Sequence, residues 1–202
     1  MKSVLISIQP KWCELIASGK KTVEVRKTRP KIDVPFKVYI YCTQGDALAY
    51  PCLNNPQFSI HRMVDSRSLH GRQMTAKERE ESDYTFANGK VIGEFVCDKI
   101  SCLDDDSLFF GLDEISNSQI EEYSCVSLDE LFAYKGDKEF LYAWHISDLV
   151  IYDKPKELRE FHKVGYTETK ESVSWLTRDE EKSWQIKRPP QSWCYVEGAE
   201  EK

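Results

Sequence analysis

Histidine pairs and cysteine pairs are what the chain lacks most clearly. Its four histidines, His61, His70, His145 and His162, are scattered and form no H-x-x-x-H spacing. The seven cysteines (Cys13, Cys42, Cys52, Cys97, Cys102, Cys125 and Cys194) are odd in number, irregular in spacing and without a C-x-x-C pair. Structural zinc sites and secreted disulfide scaffolds use close, paired spacings, so neither is expected, and free, mostly buried thiols in a reducing compartment fit the pattern. No metal and no cofactor is expected. Long apolar runs are missing as well: none approaches the roughly 20 residues of a membrane span. The opening MKSVLISIQPKW has too short an apolar run before Gln9 and Pro10 for a signal peptide, and reads as a buried strand. A cytoplasmic protein with no membrane contact is therefore the expectation. Glycine is sparse, and no glycine-rich phosphate loop follows a strand; G-x-S-x-G and H-E-x-x-H do not occur either.

What the chain does have is 202 residues, 41% of them hydrophobic and 31% charged, enough for one good-sized domain or a core domain with an appendage. A net charge of -6 argues against indiscriminate nucleic-acid binding. The distribution is uneven, however. Residues 1–41 carry nine bases against three acids, a balance of +6, and residues 98–130 carry ten acids against Lys99, a balance of -9. An acidic protein can still turn one basic face to a polyanion.

The periodicities predict short elements. Val4 to Ile8 reads as a strand; Pro10 opens a helix on which Trp12, Leu15 and Ile16 share a face, and Gly19 ends it. In TVEVR, Thr22, Glu24 and Arg26 fall on one strand face and Val23 and Val25 on the other. FKVYIYC (36–42) alternates strongly. From about 44 to 89 the chain makes a loop-rich excursion with a short helix near 75–82. KVIGEFVCDKI resumes strand character, and SLDEL is a capping box that starts a helix over about 128–134, ending near Gly136. FLYAWHISDLVIY (140–152) predicts one long strand or two bent ones. Pro155 is read as opening a helix, PKELREF, and Thr177 as starting another within the polar stretch 163–187. The sum is an α+β, β-rich fold: a small β-barrel flanked by short helices.

The stretch GKKTVEVR also fits Gly-x-Lys-x-x-Glu-x-Arg through Gly19, Lys21, Glu24 and Arg26. This resembles the signature of the ASCH family, whose domains are similar to the PUA fold, a small β-barrel associated with RNA. FLYAWHISDLVIYDKPKELREF and RPPQSWCYV resemble the closing segments of a longer, bacterial or prophage-type branch. The likeness implies one domain over 1–161 and a C-terminal extension, 162–202, whose 187–196 segment packs back on the barrel.

It further implies a cleft between barrel and first helix, lined by Lys21, Glu24 and Arg26, that takes RNA or a nucleotide-like small molecule. Lys21 and Arg26 would meet phosphate or base edges, Glu24 would accept from exocyclic amines, and Thr22 stands beside them. Trp12, Tyr39, Tyr41 or Trp144 would offer a stacking surface, although a large aromatic also serves simply as core. The rival reading is hydrolysis of a modified nucleoside, as in the family's N4-acetylcytidine amidohydrolase branch. There the catalytic lysine matches Lys21, but the hydroxyl residue's position is occupied by Glu24. A ribonuclease is a further possibility, and a protein-interaction module using the acidic segment 98–130 a third class. His145, in AWHIS, is a candidate base or an ordinary structural histidine. In RPPQSWC, Arg188 and Gln191 are either aimed at a ligand by the two prolines or belong to a clasp in which Trp193 plugs the barrel. Oligomeric state is left open.

Overall fold

The computed structural model describes residues 2–44, 48–50, 64–65, 75, 77, 85–104, 117–172 and 177–197. The chain opens with β1 (Ser3–Ile8), α1 (Pro10–Ala17), β2 (Val23–Arg26) and β3 (Phe36–Cys42). Three short strands, β4 (Leu48–Tyr50), β5 (Val64–Asp65) and β6 (Thr85–Phe86), pair in the order β5-β4-β6 within the 44–89 excursion. Of the helix expected near 75–82, only Thr75 and Lys77 are among the described residues. Next come β7 (Lys90–Cys97), β8 (Ile100–Leu103), α2 (Asn117–Ser124) and α3 (Leu128–Lys135). The chain then runs through β9 (Leu141–His145), β10 (Ser147–Glu157), a 3-10 turn (Leu158–Glu160), α4 (Tyr166–Ser172), α5 (Arg178–Trp184) and β11 (Trp193–Val196).

Two sheets carry the fold. The larger has the order β10-β7-β3-β1-β11, and the smaller β2-β9-β8. β1 lies parallel to β3, from Val4↔Val38 to Ile8↔Cys42, and antiparallel to β11. All six β1 residues are buried, as a near-continuous apolar strand covered on both faces should be. The alternation of β3 explains the covering. Phe36, Val38, Ile40 and Cys42 pack into a core with α1 and Trp144, whereas Tyr39 and Tyr41 face a second layer with Leu5, Phe161, Ile186 and Val196. A third cluster fills the space between the small sheet and α2–α3, around Val23, Val25, Ile120, Leu131 and Leu141.

The fold is α+β and β-rich, but the ladders among the described residues do not close into the expected barrel. The sheets are joined on one side by chain corners, where β7 runs into β8 through Asp98 and Lys99 and β9 into β10 through Ile146. On the other side β2 pairs, among the described residues, only with β9, and the gap to β1 is bridged by a side chain: Arg26 Nη2 donates to the Ser7 carbonyl at 2.6 Å. A four-residue β2, entered directly from α1, leaves a seam where a closing ladder would run.

Local signals behave unevenly. Ser127 and Glu130 form the capping box, with α3 ending at Gly136, and Thr177 caps α5 with Glu180. Pro155 opens no helix. It lies inside β10, between the registers Ile151↔Gly93 and Lys156↔Val91 where the ladder is irregular, and β10 is an edge strand. Edges and bulges are where a residue without an N–H is tolerated in a sheet. The extension beyond 161 is integral: Phe161 and Ile186 cover the outer face of the large sheet, and β11 is its fifth strand.

Gly93 sets how closely β10 approaches β7. A Cβ there would stand 2.4 Å from the Val150 carbonyl oxygen and 3.1 Å from Ile151 Cα. Backbone atoms cannot swing aside, so Gly93→Ala should destabilise the protein by about 1–3 kcal/mol in urea unfolding. An unchanged midpoint would mean that the strands part freely here.

Candidate binding cleft

The site begins with the end of α1. Gly19 adopts φ +73°, in the left-handed region that a glycine takes without strain. The amides of Lys20 and Lys21 then both donate to the Leu15 carbonyl, at 2.9 and 3.0 Å. This tight turn brings Lys21 round to the side of Glu24, against the simple alternation of the strand. Lys21 Nζ donates to the Ser124 carbonyl at 2.6 Å and lies 3.3 Å from Glu24 Oε2. Glu24 Oε1 is 3.0 Å from Arg26 Nη2, and Arg26 Nη1 is 3.5 Å from Ser192 Oγ. The three side chains are only 2%, 8% and 11% exposed, so this is a buried cation–carboxylate–cation row with one net positive charge.

Above the row is a cleft of about 430 Å³ in the seam between the sheets. Its floor is Lys21, Glu24 and Arg26; Trp12 of α1 and Leu131 and Tyr134 of α3 form walls, and Ser7, Gln9, Thr43, Glu130 and Gln191 supply polar groups. Trp12 lies over Lys21, with Nζ 5.0 Å from the ring centroid, and Lys11 Nζ is 4.0 Å from the same ring. Lys27 Nζ is 5.0 Å from the Tyr134 ring. Burial raises the pKa of the Tyr134 hydroxyl, an effect that the Arg26 guanidinium partly offsets. Glu130 Oε2 accepts from the Ser127 amide and hydroxyl, both at 3.2 Å.

The cleft therefore gathers five of the residues singled out by sequence: Lys21, Glu24, Arg26, Trp12 and Gln191. Thr22 is exposed, and its backbone pins β2 by donating to Tyr123 and accepting from Ile146, each at 2.9 Å. Tyr41 is buried on the far face of the large sheet, where burial raises its pKa. Trp144, opposite Glu24 in the β2–β9 ladder, is fully buried beneath the site, 5.9 Å from both the Phe36 and Trp193 rings. His145 lies outside the cleft with Nε2 3.1 Å from Ser101 Oγ. Arg188 is exposed and does not line the cleft. Tyr134 and Glu130 were not foreseen. The capping box locates their helix and the i, i+4 spacing gives them one face, but nothing local says that this face meets β2.

The buried thiols are not poised as nucleophiles: burial pushes Cys13 well up and Cys97 to about 12. Among the described residues, no group of three His, Cys, Asp or Glu side chains could hold a metal ion, and no helix is long and apolar enough to cross a membrane.

An open two-sheet α+β domain with a charged cleft in its seam is the class that fold and site define. Residues 6–101 match the model of the ASCH domain family, a PUA-like family associated with RNA binding. The fold is similar to the crystal structure of ASCH from Zymomonas mobilis: 18% identity, TM-score 0.52, with 96% of this chain and 87% of that one covered. A tyrosine-to-phenylalanine mutant of the Zymomonas mobilis protein matches at 19% identity and TM-score 0.51, covering 98% and 91%. A serine-to-alanine mutant of it matches at 18% and 0.52, covering 96% and 88%. No curated protein matches the sequence.

Two predictions follow from these contacts. Removing the carboxylate charge from between two buried cations leaves them uncompensated, so Glu24→Gln should lower folding stability by about 3–5 kcal/mol in urea unfolding; a loss under about 1 kcal/mol would show the row to be well hydrated. Burial, with Lys99 adding to it, lowers the pKa of His145 below its ordinary 6.5. The fold thus favours the neutral ring: the stability it contributes is present above 6.5 and is lost as pH falls through the lowered value. His145→Gln should flatten the decline in melting temperature between about pH 7 and pH 5, and identical slopes would count against this origin.

Proposed function

We propose that the cleft binds RNA or a nucleotide-derived ligand, one unpaired base lying between Trp12 and Tyr134 above the Lys21–Glu24–Arg26 floor. The observation that carries this is the convergence of those three motif side chains and two aromatic rings on one concavity. Both Glu24 oxygens face cations, so the floor's remaining capacity is donor capacity, suited to a base carbonyl or a phosphate oxygen. The acceptor role for exocyclic amines falls instead to Gln9, Gln191 and Glu130 higher in the cleft. Lys11 and Lys27, each resting on one of the two rings, put positive charge at the mouth. The hydrolytic alternative draws less support, because Glu24 occupies the hydroxyl position and Lys21 Nζ is held by Ser124 and Glu24.

The test is calorimetric titration with the four ribonucleoside monophosphates and with a short single-stranded RNA. Trp12→Ala and Tyr134→Ala should each weaken binding by about 1–3 kcal/mol, roughly five- to 150-fold, with the circular dichroism spectrum retained. Absence of binding by the unmodified protein, or losses within about twofold, would overturn the assignment.

A further inference from the structure

We infer that the loop between β2 and β3 is a second binding site, for the phosphodiester backbone of single-stranded nucleic acid. The inference deepens the cleft reading and rests on it for the place where a base would sit. Beside the cleft is another concavity, of about 510 Å³, lined by Lys27, Thr28, Arg29, Pro30, Lys31 and Tyr142. It contains three cations and no acid, in a chain whose net charge is -6. None of the three has a carboxylate partner among the described residues. Two rest on rings instead: Lys27 Nζ is 5.0 Å from the Tyr134 centroid and Arg29 Cζ 5.8 Å from that of Tyr142. Cations parked on aromatic faces keep their donors available for phosphate oxygens, and Arg29 can offer two at once.

The loop is also held in shape. Trp193 Nε1 donates to Thr28 Oγ1 at 3.0 Å, and the Lys31 amide donates to the Tyr195 hydroxyl at 2.6 Å. Both anchors engage atoms other than the charged heads, so the backbone is fixed while the cations stay outside. A ligand would then meet a loop whose ordering is already complete. Lys27 joins the two sites, since the ring beneath its ammonium is a wall of the cleft. A base in the cleft would place the adjoining phosphates on this loop, and Tyr142 offers a surface for a following base. This arrangement suits a strand rather than a lone nucleotide.

Fluorescence anisotropy with a labelled single-stranded RNA of about ten nucleotides, at several salt concentrations, provides the test. The double variant Arg29→Ser/Lys31→Ser changes two exposed side chains, and the anchoring bonds at Thr28 and Lys31 do not use them. It should reduce the slope of log K against log salt by about 1.4, two contacts at ~0.7 each, while leaving mononucleotide affinity unchanged. An unaltered slope would overturn the inference while the cleft reading stands. A polyglutamate peptide displacing the RNA as well as unlabelled RNA does would also overturn it, making the loop a general polyanion site. If instead the double variant loses strand affinity while Trp12→Ala retains both strand and mononucleotide affinity, the loop site stands and the cleft reading fails.

Discussion

The carboxylate of Glu24, held between Lys21 and Arg26 where solvent barely reaches, is the contact on which the arrangement around the seam depends. Taking three charges out of water is expensive, and an apolar trio of similar size could fill the space at no loss of stability. What the charges supply is direction. Lys21 reaches the last turn of α2 through the Ser124 carbonyl, and Arg26 reaches β1 through the Ser7 carbonyl and the approach to β11 through Ser192. Each of those acceptors comes from a different part of the chain, and an unpaired buried cation is costly in any other arrangement. The row thus makes the seam's spacing depend on α1, α2, β1, β2 and the C-terminal segment together. The cleft exists because the two sheets are joined by these side chains where a ladder is lacking.

Much of this was legible from the sequence wherever one residue's neighbours along the chain settle its direction. Strand alternation places Glu24 and Arg26 together, the capping boxes locate α3 and α5, and Gly19 marks the turn that brings Lys21 round. Legibility ends where direction depends on what covers a face. Tyr39 and Tyr41 alternate with apolar residues as if one side of β3 met water, yet both tyrosines are buried and face the C-terminal layer. Trp144 shares a face with Glu24 but lies below it, in the core. The expected barrel follows from a count of short strands; whether strands close depends on pairing between β2 and β1, which no local pattern reports. Pro155 shows the same limit, since its tolerance inside β10 comes from an irregular ladder at a sheet edge.

The charge asymmetry acquires a structural meaning. Part of the acidic stretch forms α2 and α3, which pack on the motif strand: the Thr22 amide donates to Tyr123, and Lys21 to Ser124. Both contacts end on backbone carbonyls of the stretch, and Glu130 is its one acid among the cleft's lining residues. Of the acidic stretch, Val126 and Glu130 line the cleft, and α3 continues past it to the walls Leu131 and Tyr134.

The last strand couples all of this to the C-terminus. Ser192 and Gln191, just before β11, reach Arg26 and the cleft, while Trp193 and Tyr195 within it anchor the basic loop. Because β11 also pairs with β1 at the centre of the fold, the segment cannot leave without exposing Leu5 and Val196. In RPPQSWC a packing contact and a place in the cleft lining thus fall on residues two apart. Gln191 lines the cavity, and Trp193, two residues further on, packs against Trp144. The proposed base site and backbone site thus share one support, the segment that carries Gln191, Trp193 and Tyr195.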